Sequence, residues 1–110
     1  MRNNLEEIKR RFLKDDLPIR LGGIAANLMR IESFSRLPNN KKLIKDLIAE
    51  SEFFIEWTAP AAALEIQAEL ANTQIQLALC NYSGSEEIAK KSARLAQRLL
   101  RLSGLLKGHR

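Results

Sequence analysis

Apolar residues recur at spacings of three, four and seven along four stretches of the chain, most plainly at Leu17, Leu21, Ile24, Leu28, Ile31 and at Ile88, Leu95, Leu99, Leu102, Leu106. This spacing holds one narrow stripe on one side of an α-helix, so each helix needs another helix to cover it. No run alternates with the period of two that a half-buried strand requires, and Val is absent, so an all-α fold is expected.

A short first helix is predicted over residues 4–14, with Leu5, Ile8 and Phe12 on one side and Glu6 and Glu7 near the positive end of its dipole. Asp15-Asp16-Leu17-Pro18 then predicts a break, because proline has no amide hydrogen and fits the first turn of a helix, where Asp15 or Asp16 can cap free amides. The alternative is one long helix bent at Pro18. The second helix, about 17–35, contains Gly22-Gly23, and each glycine in a helix interior costs roughly 1 kcal/mol relative to alanine. Close approach of a neighbouring helix is the expected compensation. No phosphate-cradling loop is implied, since no strand precedes the glycines and no Lys-Ser or Lys-Thr pair follows them.

A loop at Arg36-Leu37-Pro38-Asn39-Asn40 leads into a helix over 41–58 with Leu43, Ile44, Leu47, Ile48, Phe54 and Ile55 on its apolar face. Thr58-Ala59-Pro60 breaks it, and Pro60 is expected to open the next helix, about 60–81. That helix carries two stripes, Leu64, Ala68, Ala71, Ile75, Ala78 and Ile66, Leu70, Thr73, Leu77, Cys80. Two stripes imply two neighbours, and the alanines imply that one of them sits close. Ser83 or Ser85 is a candidate cap for the last helix, 85–106, which Gly104 or the Lys107-Gly108 pair would end.

The expected architecture is therefore an antiparallel four-helix bundle with a short extra N-terminal helix, residues 1–110 forming a single domain. Aromatic residues are only 5% of the chain, which leaves the core to Leu, Ile and Ala. Its expected members are Leu21, Ile24, Leu28, Ile31, Leu47, Phe54, Leu64, Ile75, Leu95, Leu99 and Leu102.

Formal charge is +5, unevenly distributed: +3 over residues 1–38, −3 over 39–85 and +5 over 86–110. Pairing of the basic last helix with the acidic third one, 41–58, is one use of this asymmetry, and a basic face for an anionic partner is another. Lys91, Arg94, Arg98 and Arg101 align along one side of the last helix as a candidate anion- or nucleic-acid-binding row. No aromatic residue lies among them for base stacking, and ion pairs within the bundle are the plainer explanation. Leu99, Leu100, Leu102, Leu105 and Leu106 opposite this row are read as core rather than as a membrane-binding face.

Catalytic and metal chemistry have little material. His109 is the one histidine, and the Glu-x-x-His spacing of a carboxylate-bridged metal bundle is missing. Glu52 with Glu56 and Glu65 with Glu69 lie four apart, but a solvated acidic face accounts for them more simply than a cation site. Cys80 is the only cysteine and is expected to be buried. The N-terminus lacks the apolar run of a signal peptide and no eighteen-residue apolar stretch exists, so a cytoplasmic protein is expected. No catalytic residues, cofactor, metal or small-molecule substrate are indicated.

The stretches Asp15-Asp16-Leu17-Pro18-Ile19-Arg20-Leu21-Gly22-Gly23 and Phe54-Ile55-Glu56-Trp57-Thr58-Ala59-Pro60 resemble segments of small, functionally uncharacterised helical proteins from cyanobacteria. The resemblance implies a helical fold and no activity. The leading functional expectation is a non-enzymatic interaction protein, a homodimer or the small subunit of a complex, that recognises protein through helix faces. Phe53 and Trp57, four apart on one side of their helix, are its candidate partner-binding anchors. The competing expectation is a nucleic-acid-binding regulator using the basic row.

Overall fold

The structure, a computed structural model, describes residues 2–104. The described residues form five α-helices: α1 (Arg2–Leu13), α2 (Leu17–Ser35), α3 (Lys41–Thr58), α4 (Leu64–Leu79) and α5 (Ser85–Ser103). Single 3-10 turns at Ala59–Ala61 and Cys80–Tyr82 flank α4, and no strand occurs among the described residues. The result is an all-α bundle of four main helices preceded by a short one. Cross-links fix the directions: Asn27 meets Glu50 between α2 and α3, Gln67 reaches the Ala59 carbonyl at the α3–α4 junction, and Glu69 meets Arg98 between α4 and α5. The α2–α3 loop lies beside Ser85 at the start of α5. Neighbouring helices are therefore antiparallel, as short connections favour.

The break at residues 14–16 separates α1 from α2, so these are two helices and not one bent rod. Asp16 occupies the N-cap position of α2 and Pro18 its first turn, but no side chain caps the helix. Arg20 does the fastening instead. Its Nε donates to the Asp15 carbonyl at 2.8 Å and its Nη2 to the Leu13 carbonyl at 3.0 Å, satisfying carbonyls left open where α1 ends.

At the centre stands α2, packed against both α3 and α5. Leu21, Ile24, Ala25, Leu28 and Ile31 are buried along it, and Ala89, Ser92, Leu95, Ala96 and Leu99 answer from α5. The small residues on α5 let the two helices approach closely over their whole length. The basic α5 thus lies chiefly on α2 rather than beside α3, and it meets the acidic middle of the chain at the Arg98–Glu69 pair with α4. Ordered burial of apolar area outweighs a few exposed charges, whose pairwise energies are mostly under about 1 kcal/mol. Gly23 faces Phe12 of α1, with room for a methyl group: an added Cβ would sit 3.6 Å from the ring. Buried Asn27 is satisfied at both ends, donating to Glu50 Oε1 at 3.0 Å and accepting from Arg30 Nη1 at 2.6 Å.

One expected boundary and one expected cap are corrected, and one open alternative is decided. Pro60 lies in the 3-10 turn and α4 begins only at Leu64, with Ala63 before it in extended conformation. Neither Ser83 nor Ser85 caps α5, since Gly84 holds that position and Ser83 Oγ bonds back to the Leu79 carbonyl. At its far end α5 stops at Gly104, whose φ of 81° places it in the left-handed region where glycine is favoured. Leu105, Leu106, the Lys107-Gly108 pair and His109 lie outside the described residues.

Candidate functional site

The two stripes of α4 meet opposite fates. Leu70, Thr73 and Leu77 are fully buried and continue into buried Cys80, with Ile66 packed at their edge. The other stripe faces outward: Leu64 is 82% exposed and Ile75 59%, with Leu79 and Tyr82 also exposed and Ala68, Ala71 and Ala78 exposed between them. Leu64 and Ile75 were expected in the core, and this is a correction. Helical spacing identifies a stripe but not whether the fold supplies it with a neighbour, and α4 sits at the bundle's edge, packed chiefly against α3 and α5 among the described residues.

Flanking this apolar face on the α5 side is the basic row. Arg98 is the best-held member: its Nε and Nη2 donate to Glu69 Oε2 and Oε1 at 2.9 and 3.0 Å. That fork-to-fork pairing raises the guanidinium pKa further above its ordinary value. Lys91 is largely covered and lies 3.9 Å from Glu87, whereas Arg94 and Arg101 are exposed and have no ion-pair partner among the described residues. Between the helices runs a cleft of about 290 Å³, lined by Asn72, Gln76, Lys91, Arg94, Leu95 and Arg98. The row is thus assembled on one side of α5, with Arg98 neutralised by a neighbouring helix and Arg94 and Arg101 free.

Phe53 and Trp57 do come together, their ring centroids 5.7 Å apart in a stacked arrangement. They form the rim of a larger cluster that fastens α1 to α3. Phe12 stacks on Phe54 at 4.2 Å and 9° and stands 6.0 Å from Trp57, while Lys9 Nζ lies 5.7 Å over the Trp57 ring. Trp57 is half-buried beneath this cover, and Phe53 keeps 37% of its surface exposed. The pair sits on the α1 side of α3, away from α4.

The remaining polar groups are distributed rather than gathered. Burial, and then the neighbouring Glu56, push the Glu52 carboxyl above its usual range. Cys80 is buried, and its thiol is pushed up chiefly by that burial, which keeps it protonated and unreactive. No group of three or more potential metal ligands occurs among the described residues. No helix there is long and apolar enough to cross a membrane. Compared with known protein families, curated proteins and solved structures, the chain matches none.

The sequence held a signal for the exposed face in the second stripe of α4, but nothing to say which stripe would be left outside. It held none for Arg20 as a clasp.

Proposed function

We propose that this chain is a non-enzymatic interaction protein that recognises another protein through the outward face of α4. The observation that supports it is the run of Leu64, Ile75 and Leu79, large aliphatic side chains exposed along one side of a helix whose other side is buried. Single exposed leucines are ordinary on a protein surface, whereas a contiguous apolar strip along a whole helix marks a contact surface. In this reading Phe53 and Trp57 hold α1 in place, and Cys80, a buried free thiol, suits the reducing conditions of the cytoplasm.

The test is a comparison of affinity purifications from the cell of origin, using the parent chain and a Leu64→Asp, Ile75→Asp variant. Both positions face water, so the variant keeps its helical circular dichroism and melting temperature. It loses the proteins that the parent retains; recovery of the same set by both would overturn the reading.

Nucleic-acid binding through Lys91, Arg94, Arg98 and Arg101 is the second reading, favoured by the free Arg94 and Arg101 at the mouths of the α4–α5 cleft. It is the weaker one. Glu69 and Glu87 cancel part of the row, and no aromatic side chain lies beside it. Retention on single-stranded or duplex DNA at low salt that falls steeply with added salt, and on Arg94→Glu with Arg101→Glu, would favour it over protein recognition.

A further inference from the structure

We propose that the cleft between α4 and α5 binds the phosphate group of a small molecule, gripped by Lys91, Arg94 and Arg98 and read by the side-chain amides of Asn72 and Gln76. The site lies beside the outward apolar strip of α4 and does not depend on it.

The amides carry the first argument. A covered Asn or Gln side chain normally finds a protein partner. Asn27 bonds to Glu50, Asn40 to the Phe34 carbonyl, Gln67 to that of Ala59 and Gln74 to that of Glu52. Among the described residues, the buried or half-buried amides without such a partner are Asn72 and Gln76, one turn apart on α4. Both line this cleft.

The cations carry the second. Lys91 keeps only 16% of its side chain exposed, yet Glu87 stands 3.9 Å away and no hydrogen-bond acceptor among the described residues reaches its ammonium. Arg94, one turn further along α5, is exposed and has no ion-pair partner there. Glu69 holds Arg98 in place through Nε and Nη2, which leaves Nη1 uncommitted. Three cations and two amides from two helices thus surround about 290 Å³ of space whose one apolar lining residue is Leu95.

These groups select the ligand by their chemistry. Donors converging from two walls suit a tetrahedral oxyanion, whose oxygens point in several directions, better than a flat carboxylate. Three cations set against Glu69 and Glu87 suit a group carrying about two negative charges, as a phosphate monoester does. Amides both donate and accept, so they also bond to hydroxyls of the molecule that carries the phosphate. The cleft is at the small end of ligand pockets, which run upward from about 300 Å³. A nucleic-acid backbone riding over the surface meets Arg94 and Arg101 but not the covered Lys91.

Proton–nitrogen correlation NMR of the full chain at low salt tests this, following the side-chain amides of Asn72 and Gln76 and the Nε–H of Arg98. Inorganic phosphate is expected to shift these signals saturably in the millimolar range, and ribose 5-phosphate at several-fold lower concentration, while ribose alone has no effect. Arg94→Gln, at an exposed position, should weaken both phosphates about tenfold. Asn72→Ala with Gln76→Ala should remove the advantage of ribose 5-phosphate and leave helical circular dichroism unchanged. Equal affinity of the parent chain for the two phosphates would overturn the role given to the amides. No saturable shift with either at tens of millimolar, or shifts that persist unchanged in Arg94→Gln, would overturn the site. So would an oligothymidylate that outcompetes both while moving Arg101 but neither amide, which would favour the nucleic-acid reading. Leu64→Asp with Ile75→Asp should bind phosphate like the parent, so the cleft and the outward strip stand or fall separately.

Discussion

Helices α2 and α4 each carry apolar residues on more than one side, yet they end in opposite situations. Lying between α3 and α5, α2 has its stripe of Leu21, Ile24, Leu28 and Ile31 within 1% of complete burial, and of its large apolar side chains only Ile19 and Met29 stay exposed on its outer side. Only one side of α4 is used, and Leu64 and Ile75 on the other look into water. The difference lies in position rather than composition. A central helix finds its second neighbour within the chain, whereas an edge helix with the same pattern must find one elsewhere.

The sharpest way to break this contrast is to place the same charge in both helices. Leu28→Asp buries a carboxylate among apolar side chains with no partner and is expected to cost about 4 kcal/mol or more, enough to abolish the cooperative urea transition. Ile75→Asp should stay within about 0.5 kcal/mol of the parent when both are compared as monomers. Equal losses at the two positions would mean that α4 is packed on both sides.

A smaller effect is expected where α4 is tied to α5. Glu69→Gln removes the carboxylate that accepts both Arg98 hydrogen bonds, which should raise amide exchange in α4 while leaving α2 as protected as before. The freed Arg98 should also delay elution from a cation exchanger to higher salt. Unchanged exchange in α4 would show that apolar contacts alone hold it.

The smallest effect tests α2 from the opposite direction. Gly23→Ala places a methyl at ordinary contact distance from Phe12 and should stabilise the protein by about 0.5–1 kcal/mol in urea or thermal unfolding, through helix propensity and a less flexible unfolded chain. A loss of stability would mean that α1 cannot give way to a methyl at this site.

The helices were legible because each buried stripe has a regular period, and Leu21, Ile24, Leu28, Ile31, Leu95 and Leu99 are buried as that period implies. Leu47, Phe54 and Leu102 reach only partial burial. Long-range choices were not legible. Periodicity says nothing about which helix accepts which stripe, so the pairing of α5 with α2 and the exposure of Leu64 and Ile75 emerged only from the packing. Asp16 takes the N-cap position of α2 and Gly84 that of α5, but no side-chain cap hydrogen bond forms at either, while Arg20, a donor, serves the Leu13 and Asp15 carbonyls where α1 ends. Of the candidate site residues, Arg98 is held by Glu69, a partner 29 positions away in the chain that no spacing rule connects to it.

Trp57, the single tryptophan of the chain, lies where α1 closes over α3. Its fluorescence is therefore a built-in gauge of whether the first twelve or so residues are seated. Among the described residues α1 is held by its short link to α2, the Arg20 hydrogen bonds and the aromatic cluster, so its release is expected to leave the four long helices assembled. Emission would then shift to longer wavelength before ellipticity collapses, giving the molecule two optical clocks, one for its N-terminal clasp and one for its body.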